Sequence, residues 1–175
     1  RRRELSERVV LLDSAHAQLR REGKVLESLE HLEKSLFLRR EAYGEGSQEV
    51  DRCAQAFVSA CNSCAMVCLQ AGNRQMCFEL LRKAEVLTKG PSYVPGAGPR
   101  MRLRSLTLNN TGCFYRKCGK HHAALKCLEG GLKIEIGTVS RVAARDQRLS
   151  EIAALREAGE EVDSGEEEAL TRELD

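Results

Sequence analysis

At 175 residues with a formal charge of +2, the chain is long enough for one domain with a sizeable core. Aromatics make up only 4% and Trp is absent, against 31% charged residues, a mix that suits stacked helices and disfavours a β-sandwich. No apolar run approaches the ~20 residues needed to span a bilayer. The opening Arg1-Arg2-Arg3-Glu4 has no signal-peptide character and no initiator Met, so the chain reads as a fragment of something longer.

The first predicted helix pair covers residues 5–22 and 24–43. Gly44-Glu45-Gly46-Ser47 closes it, with Ser47 as N-cap of the next helix. The second pair covers 48–71 and 74–89. On its first helix Cys61, Cys64 and Cys68 share one stripe, and Cys53, Cys77, Cys113, Cys118 and Cys127 also fall inside helical patterns. Free cysteines at such places act as small buried hydrophobes, which points to a reducing, cytosolic setting. Zinc is the sharper alternative for Cys61-Asn62-Ser63-Cys64. No second CxxC or spaced His pair completes four ligands, and His121-His122 sits beside a turn, so no metal is expected.

The next connection, residues 90–99, holds all three prolines and interrupts no predicted helix. It is either a partner-contacting loop or a variable insertion. The third pair covers 101–118 and 121–136, with Gly130-Gly131 weakening its last turns. After Gly137 the pattern changes. Val142, Leu149, Ile152, Ala153 and Leu155 near helical spacing predict a separate helix capping the last pair's apolar face. Residues 151–175 carry a net −8 and residues 1–150 a net +10, so an acidic tail or short helix, from about Ser164, is expected to make salt-dependent contacts with the basic part. The expected units are 5–137 (repeats), 138–159 (capping helix) and 160–175 (acidic tail).

The helix pairs repeat. Gly23, Gly72 and Gly119 stand 49 and 47 residues apart as turn residues. Eleven residues before them lie Leu12, Cys61 and Leu108, and four before lie Leu19, Cys68 and Tyr115, on one face of a first helix. Five, nine and twelve residues after them come Ser28, Leu32 and Ser35; Cys77, Leu81 and Ala84; and Ala124, Leu128 and Gly131. Small residues let the two helices approach, and the Leu fills the space beside them.

These residues resemble the tetratricopeptide repeat over about residues 8–137. The third unit carries Asn110-Thr111-Gly112, Tyr115, Gly119-Lys120, Ala123-Ala124-Leu125, Leu128 and Leu132-Lys133-Ile134. The first, with Ser35-Leu36-Phe37-Leu38-Arg39-Arg40-Glu41-Ala42-Tyr43-Gly44, is similar to the longer repeats of kinesin light chains. The resemblance implies an all-α, right-handed superhelix of about three helix-turn-helix units plus the C-terminal capping helix. Its first helices would line a concave groove for a peptide or helix. His16 and Ala65 stand where the third unit has Gly112, and His16 is expected to crowd its pair.

Ten and nine residues before the turn glycines fall Asp13-Ser14, Asn62-Ser63 and Asn109-Asn110. An Asn both donates and accepts, so it can clamp a peptide's amide edge; the blander reading has Asn62 and Asn109 capping loops or facing water. One turn further, Arg20-Arg21, Leu69-Gln70 and Arg116-Lys117 favour an acidic ligand. The expected partner-binding set is Asp13, Arg20, Asn62, Met66, Gln70, Asn109, Asn110, Arg116 and Lys117. The family's chaperone-tail clamp is not expected, because its places hold Asp13, Ala17, Ser63, Leu106 and Asn110; Glu160-Glu161-Val162-Asp163 spells such a tail internally, without a free carboxylate.

No Gly-rich phosphate loop, HExxH or nucleophile elbow is present, and Cys118 with His121 lacks an orienting carboxylate. No catalytic residue and no cofactor are therefore expected. The expected function is a non-enzymatic scaffold or adaptor in a multi-protein complex of the reducing cytoplasm, with motor-cargo adaptation or a ciliary or cytoskeletal role as versions of it. The rival is RNA binding by the basic face of residues 1–150, which includes Arg100, Arg102 and Arg104.

Overall fold

The computed structural model describes residues 1–159 and 164–172. They form seven helices: α1 (Arg2–Arg21), α2 (Val25–Tyr43), α3 (Gln48–Gln70), α4 (Arg74–Thr88), α5 (Ala97–Lys117), α6 (His121–Glu157) and α7 (Ser164–Arg172). The chain is all-α. Each helix packs against the next, and α3 also meets α5, whereas α1 and α3 do not come close.

α1, α3 and α5 end in one and the same turn. The N–H groups of Gly23, Gly72 and Gly119 bond to the carbonyls of Arg20, Leu69 and Arg116. The next N–H groups, of Lys24, Asn73 and Lys120, reach back to Leu19, Cys68 and Tyr115. This pattern satisfies helix-end carbonyls and needs a left-handed residue, and the three glycines have φ of +76°, +81° and +71°. Ser47 caps α3 by accepting the Val50 N–H, and Asn73 caps α4 by accepting that of Met76.

Inside each hairpin the small–large–small stripe faces the first helix. Ser28, Leu32, Ser35, Cys77, Leu81, Ala84, Ala124 and Gly131 are all buried; only Leu128 stays exposed. The α5–α6 crossing is close: a Cβ on Gly112 would lie 2.7 Å from Leu128 Cγ, and one on Gly131 2.6 Å from Asn109 Oδ1. His16, at the place of Gly112, is half-buried in the α1–α2 crossing, where its Nδ1 lies 2.8 Å from the Ser28 carbonyl oxygen. The main core gathers on α3, where Phe57, Val58, Cys61 and Ala65 meet Leu32 and Leu36 of α2 and Leu81 of α4. Burying one such Leu or Phe is worth about 1.5–3 kcal/mol, and Leu36→Ala would cost about 2–5 kcal/mol. By length and composition α3 (Gln48–Gln70) is apolar enough to cross a membrane, contrary to the expectation that no stretch comes near, but 56% of its 18-residue apolar window is buried inside the fold.

Three expectations change. The helix expected to stop at Gly137 runs on for 37 residues to Glu157, so residues 138–157 prolong α6 and are no separate cap. Gly131 is required where α5 approaches, and after Gly137 the chain offers Ala143, Ala144, Leu149, Ala153 and Ala154 with no proline, so a cost of ~1 kcal/mol per glycine is absorbed. α5 begins two residues before Pro99, which sits in its first turn, where no intrahelical N–H bond is lost. The connection shortens to 89–96 and folds back. Val94 is buried, Tyr93 accepts a 2.8 Å bond from Arg40 Nη1, and Arg100 Nη1 donates to the Val94 and Pro95 carbonyls.

α7 lies along the far part of α6. Arg148 makes two bonds to Glu166 (2.7 and 3.0 Å), and Arg156 bonds to Glu167 (2.5 Å). The acidic segment thus contacts α6, in part as a helix. Glu160-Glu161-Val162-Asp163 lies outside the described residues.

Candidate functional site

The residues ten before the turn glycines do not present themselves as a row of free clamps. Asn62 is only 1% exposed. Its Nδ2 donates to the Val58 carbonyl and to Thr107 Oγ1 (2.9 Å), and its Oδ1 accepts from Asn110 Nδ2 (2.9 Å). Asn62 and Asn110 therefore join α3 to α5, and the buried Asn62 is out of a ligand's reach. Asn109 lies over Gly131 on the α6 side. Met66 is half-buried against the core, while Gln70, Arg116 and Lys117 are exposed near helix ends. The clamp assignment is thus corrected at Asn62, whose side chain bridges to the next hairpin, while Asn109 is exposed over the small Gly131 and Asn110 is the partner that Asn62 accepts from. Asn62 neither caps a loop nor faces water.

Asp13 follows the first pattern. Its carboxylate accepts 2.7 Å from Ser35 Oγ, 3.0 Å from Arg39 Nη1 and 2.5 Å from Arg39 Nη2, and Arg39 Nη1 also bonds to Ser35 Oγ. Burial alone would push the Asp13 carboxyl up, but the bonds from Arg39 and Ser35 outweigh it and hold its pKa below the usual carboxylate range. The same pairing raises Arg39, and burial raises the neighbouring Cys53 thiol.

Because Asp13 is turned inward to α2, it does not bridge to α3. A cleft of about 440 Å³ opens there, walled by α1 and α3 and floored by α2. Asp13, His16 and Arg20 come from α1; Leu32 and Arg39 from α2; Glu49, Arg52, Cys53, Ala56 and Ala60 from α3. Of the expected groove set, the structure brings Asp13 and Arg20 together here. Arg39 and Arg52 were missed. Asp13 opposite the small Ser35, with Arg39 one turn beyond Ser35, is the signal that marks the first. Arg52 has none at the level of the repeat.

Once Asp13 and Arg39 neutralise each other, Arg20 and Arg52 remain on opposite walls. Both are exposed and have no ion-pair partner among the described residues, against one carboxylate, Glu49. The Ala56 and Ala60 side chains leave the space between unfilled. The arrangement can receive a narrow acidic group. A second, smaller notch of about 250 Å³ lies at the turn end, between Arg74 and Lys120, over Phe78, Phe114 and Tyr115.

All eight cysteines are free, and among the described residues no group of three or more His, Cys, Asp or Glu is placed to hold a metal. Comparison with protein families, with curated proteins and with solved structures finds no match to the chain.

Proposed function

We propose that the protein is a non-enzymatic interaction scaffold of the tetratricopeptide-like class. Its hairpins stack as a right-handed superhelix, and it holds an acidic peptide segment of a protein partner in the α1–α3 cleft. The observation that carries this reading is the pair of arginines, Arg20 on α1 and Arg52 on α3, that line an unfilled cleft without an ion-pair partner among the described residues. Three identically capped hairpins with small–large–small packing support the repeat class. A reducing cytoplasmic setting goes with this reading through its eight free thiols, and a scaffold of this kind would serve as a subunit of a larger assembly.

The test is a fluorescence titration with a Glu/Asp-rich peptide and its Gln/Asn counterpart at graded salt. The acidic peptide binds and the neutral one does not. Arg20→Ala and Arg52→Ala each weaken binding about fivefold, the scale of ~1 kcal/mol for a rim charge. Acidic-peptide binding indifferent to both substitutions would remove the cleft from the proposal. Tighter capture of an RNA oligonucleotide with a steep salt slope would replace it with nucleic-acid binding.

A further inference from the structure

The stretches Leu29-Glu30-His31-Leu32-Glu33-Lys34-Ser35-Leu36 of α2 and Leu125-Lys126-Cys127-Leu128-Glu129-Gly130-Gly131-Leu132 of α6 begin six residues after their turn glycines. They carry Leu, Leu, Glu and Leu at the same four places. In α2 the set is covered. Leu29 and Leu36 are 4% and 1% exposed in the cluster that α3 completes, and Glu33 pairs with Lys83 of α4 at 2.5 Å. In α6 the same set is bare. Leu125 and Leu132 are 54% and 58% exposed, and the stripe continues through exposed Ile136 and Val139. Glu129 has no ion-pair partner among the described residues. Neither α5 nor α7 covers this face.

We infer that a second copy of this chain covers it, with its first hairpin, α1–α2, laid on α6 as α3–α4 lies on α2. Register and charge choose this occupant. Lys34 stands eleven residues after Gly23, as Lys83 stands eleven after Gly72. It is exposed and without an ion-pair partner among the described residues, so it meets Glu129 as Lys83 meets Glu33. On α1, Leu12, Ala15 and Leu19 hold the places that Cys61, Cys64 and Cys68 hold on α3, and all three are only partly covered within the chain; Leu11 beside them is exposed. Arg8 takes the place of Phe57, a place that α5 fills with half-buried Arg104. The two contacting surfaces differ, so the contact is head-to-tail: each added copy leaves one fresh α6 face and one fresh α1 face. This inference stands on a different surface from the acidic-peptide cleft and does not depend on it.

Sedimentation of the full chain across a concentration series tests it. The wild-type mass rises past that of a dimer as concentration increases. Leu132→Glu, a change at an exposed position, leaves helicity intact by circular dichroism and holds the protein as a monomer. Glu129→Lys and Lys34→Glu each weaken association by about fivefold, and the two combined in one chain restore it. A wild-type protein that stays monomeric throughout, or a closed dimer indifferent to Lys34→Glu, would overturn the inference.

Discussion

The crevice between α1 and α3 and the crevice between α3 and α5 are built from the same three places relative to the turn glycines. One is open and the other sealed. Between α3 and α5 these places hold Asn62, Thr107 and Asn110, and Asn62 links the other two by side-chain hydrogen bonds. Between α1 and α3 they hold Asp13, Ala60 and Ser63. Ala60 has nothing to bridge with, and Asp13 is drawn down by Arg39 and Ser35. A charge and a missing hydroxyl thus convert a structural joint into a cleft. In a stack of similar hairpins, side chains at the joints decide where a ligand can enter.

The largest effect is expected on the sealed side. Asn62→Ala leaves Thr107 and Asn110 short of a buried partner and opens a small void, and is expected to cost about 2–3 kcal/mol in urea denaturation. A change below 1 kcal/mol would mean that the joint does not hold the stack together. Gly112→Ala probes the neighbouring difference, the α5–α6 crossing that has no room for a Cβ against the α1–α2 crossing that holds His16. The new methyl would meet Leu128 Cγ at 2.7 Å and the Ala124 carbonyl at 3.3 Å, so a loss of about 1–2 kcal/mol is expected despite better helix propensity.

On the open side, Asp13→Asn removes the charge facing Arg39 and is expected to cost about 1 kcal/mol, because the half-exposed pair is screened by water. The Asp13 carboxyl is held below its ordinary value, so its contribution is fully present above about pH 4. It fades as pH falls through the lower, folded-state value. An acid titration of stability should therefore show a step in wild type that is absent from Asp13→Asn. The smallest change in stability, and the most informative about the comparison, comes from moving the sealed joint into the open place with Asp13→Asn, Ala60→Thr and Ser63→Asn together, with Arg39→Met added so that no cation is freed in the cleft. Helicity should remain, and affinity for the acidic peptide should drop by about tenfold. Undiminished binding would place the ligand elsewhere.

The hairpins were legible because their signals are local. A glycine at each turn and the small–large–small stripe following it mark where two helices bend and touch, and Gly23, Gly72 and Gly119 turn as expected. The candidate site was legible only in part. Asn62 and Asp13 occupy equivalent places, yet one is sealed and the other committed to Arg39, and that depends on partners 45 and 26 residues away in the chain. Gly130 and Gly131 read as weakening their helix because propensity is local, whereas the close approach at Gly131 comes from Asn109 across the crossing. Pro99 misled in the same way, since only the position of the first turn tells a permitted proline from a terminator.

The cysteines of the central hairpin carry a consequence for handling the protein. Burial pushes the Cys61 thiol up to about 12 and the Cys77 thiol to about 11. At neutral pH an alkylating reagent then finds roughly a hundred- to a thousandfold less thiolate than at an open cysteine. Modification of Cys61 or Cys77 must wait for the hairpin to part, so the speed at which these two sulfurs acquire a label is a built-in clock for the opening of the molecule's centre.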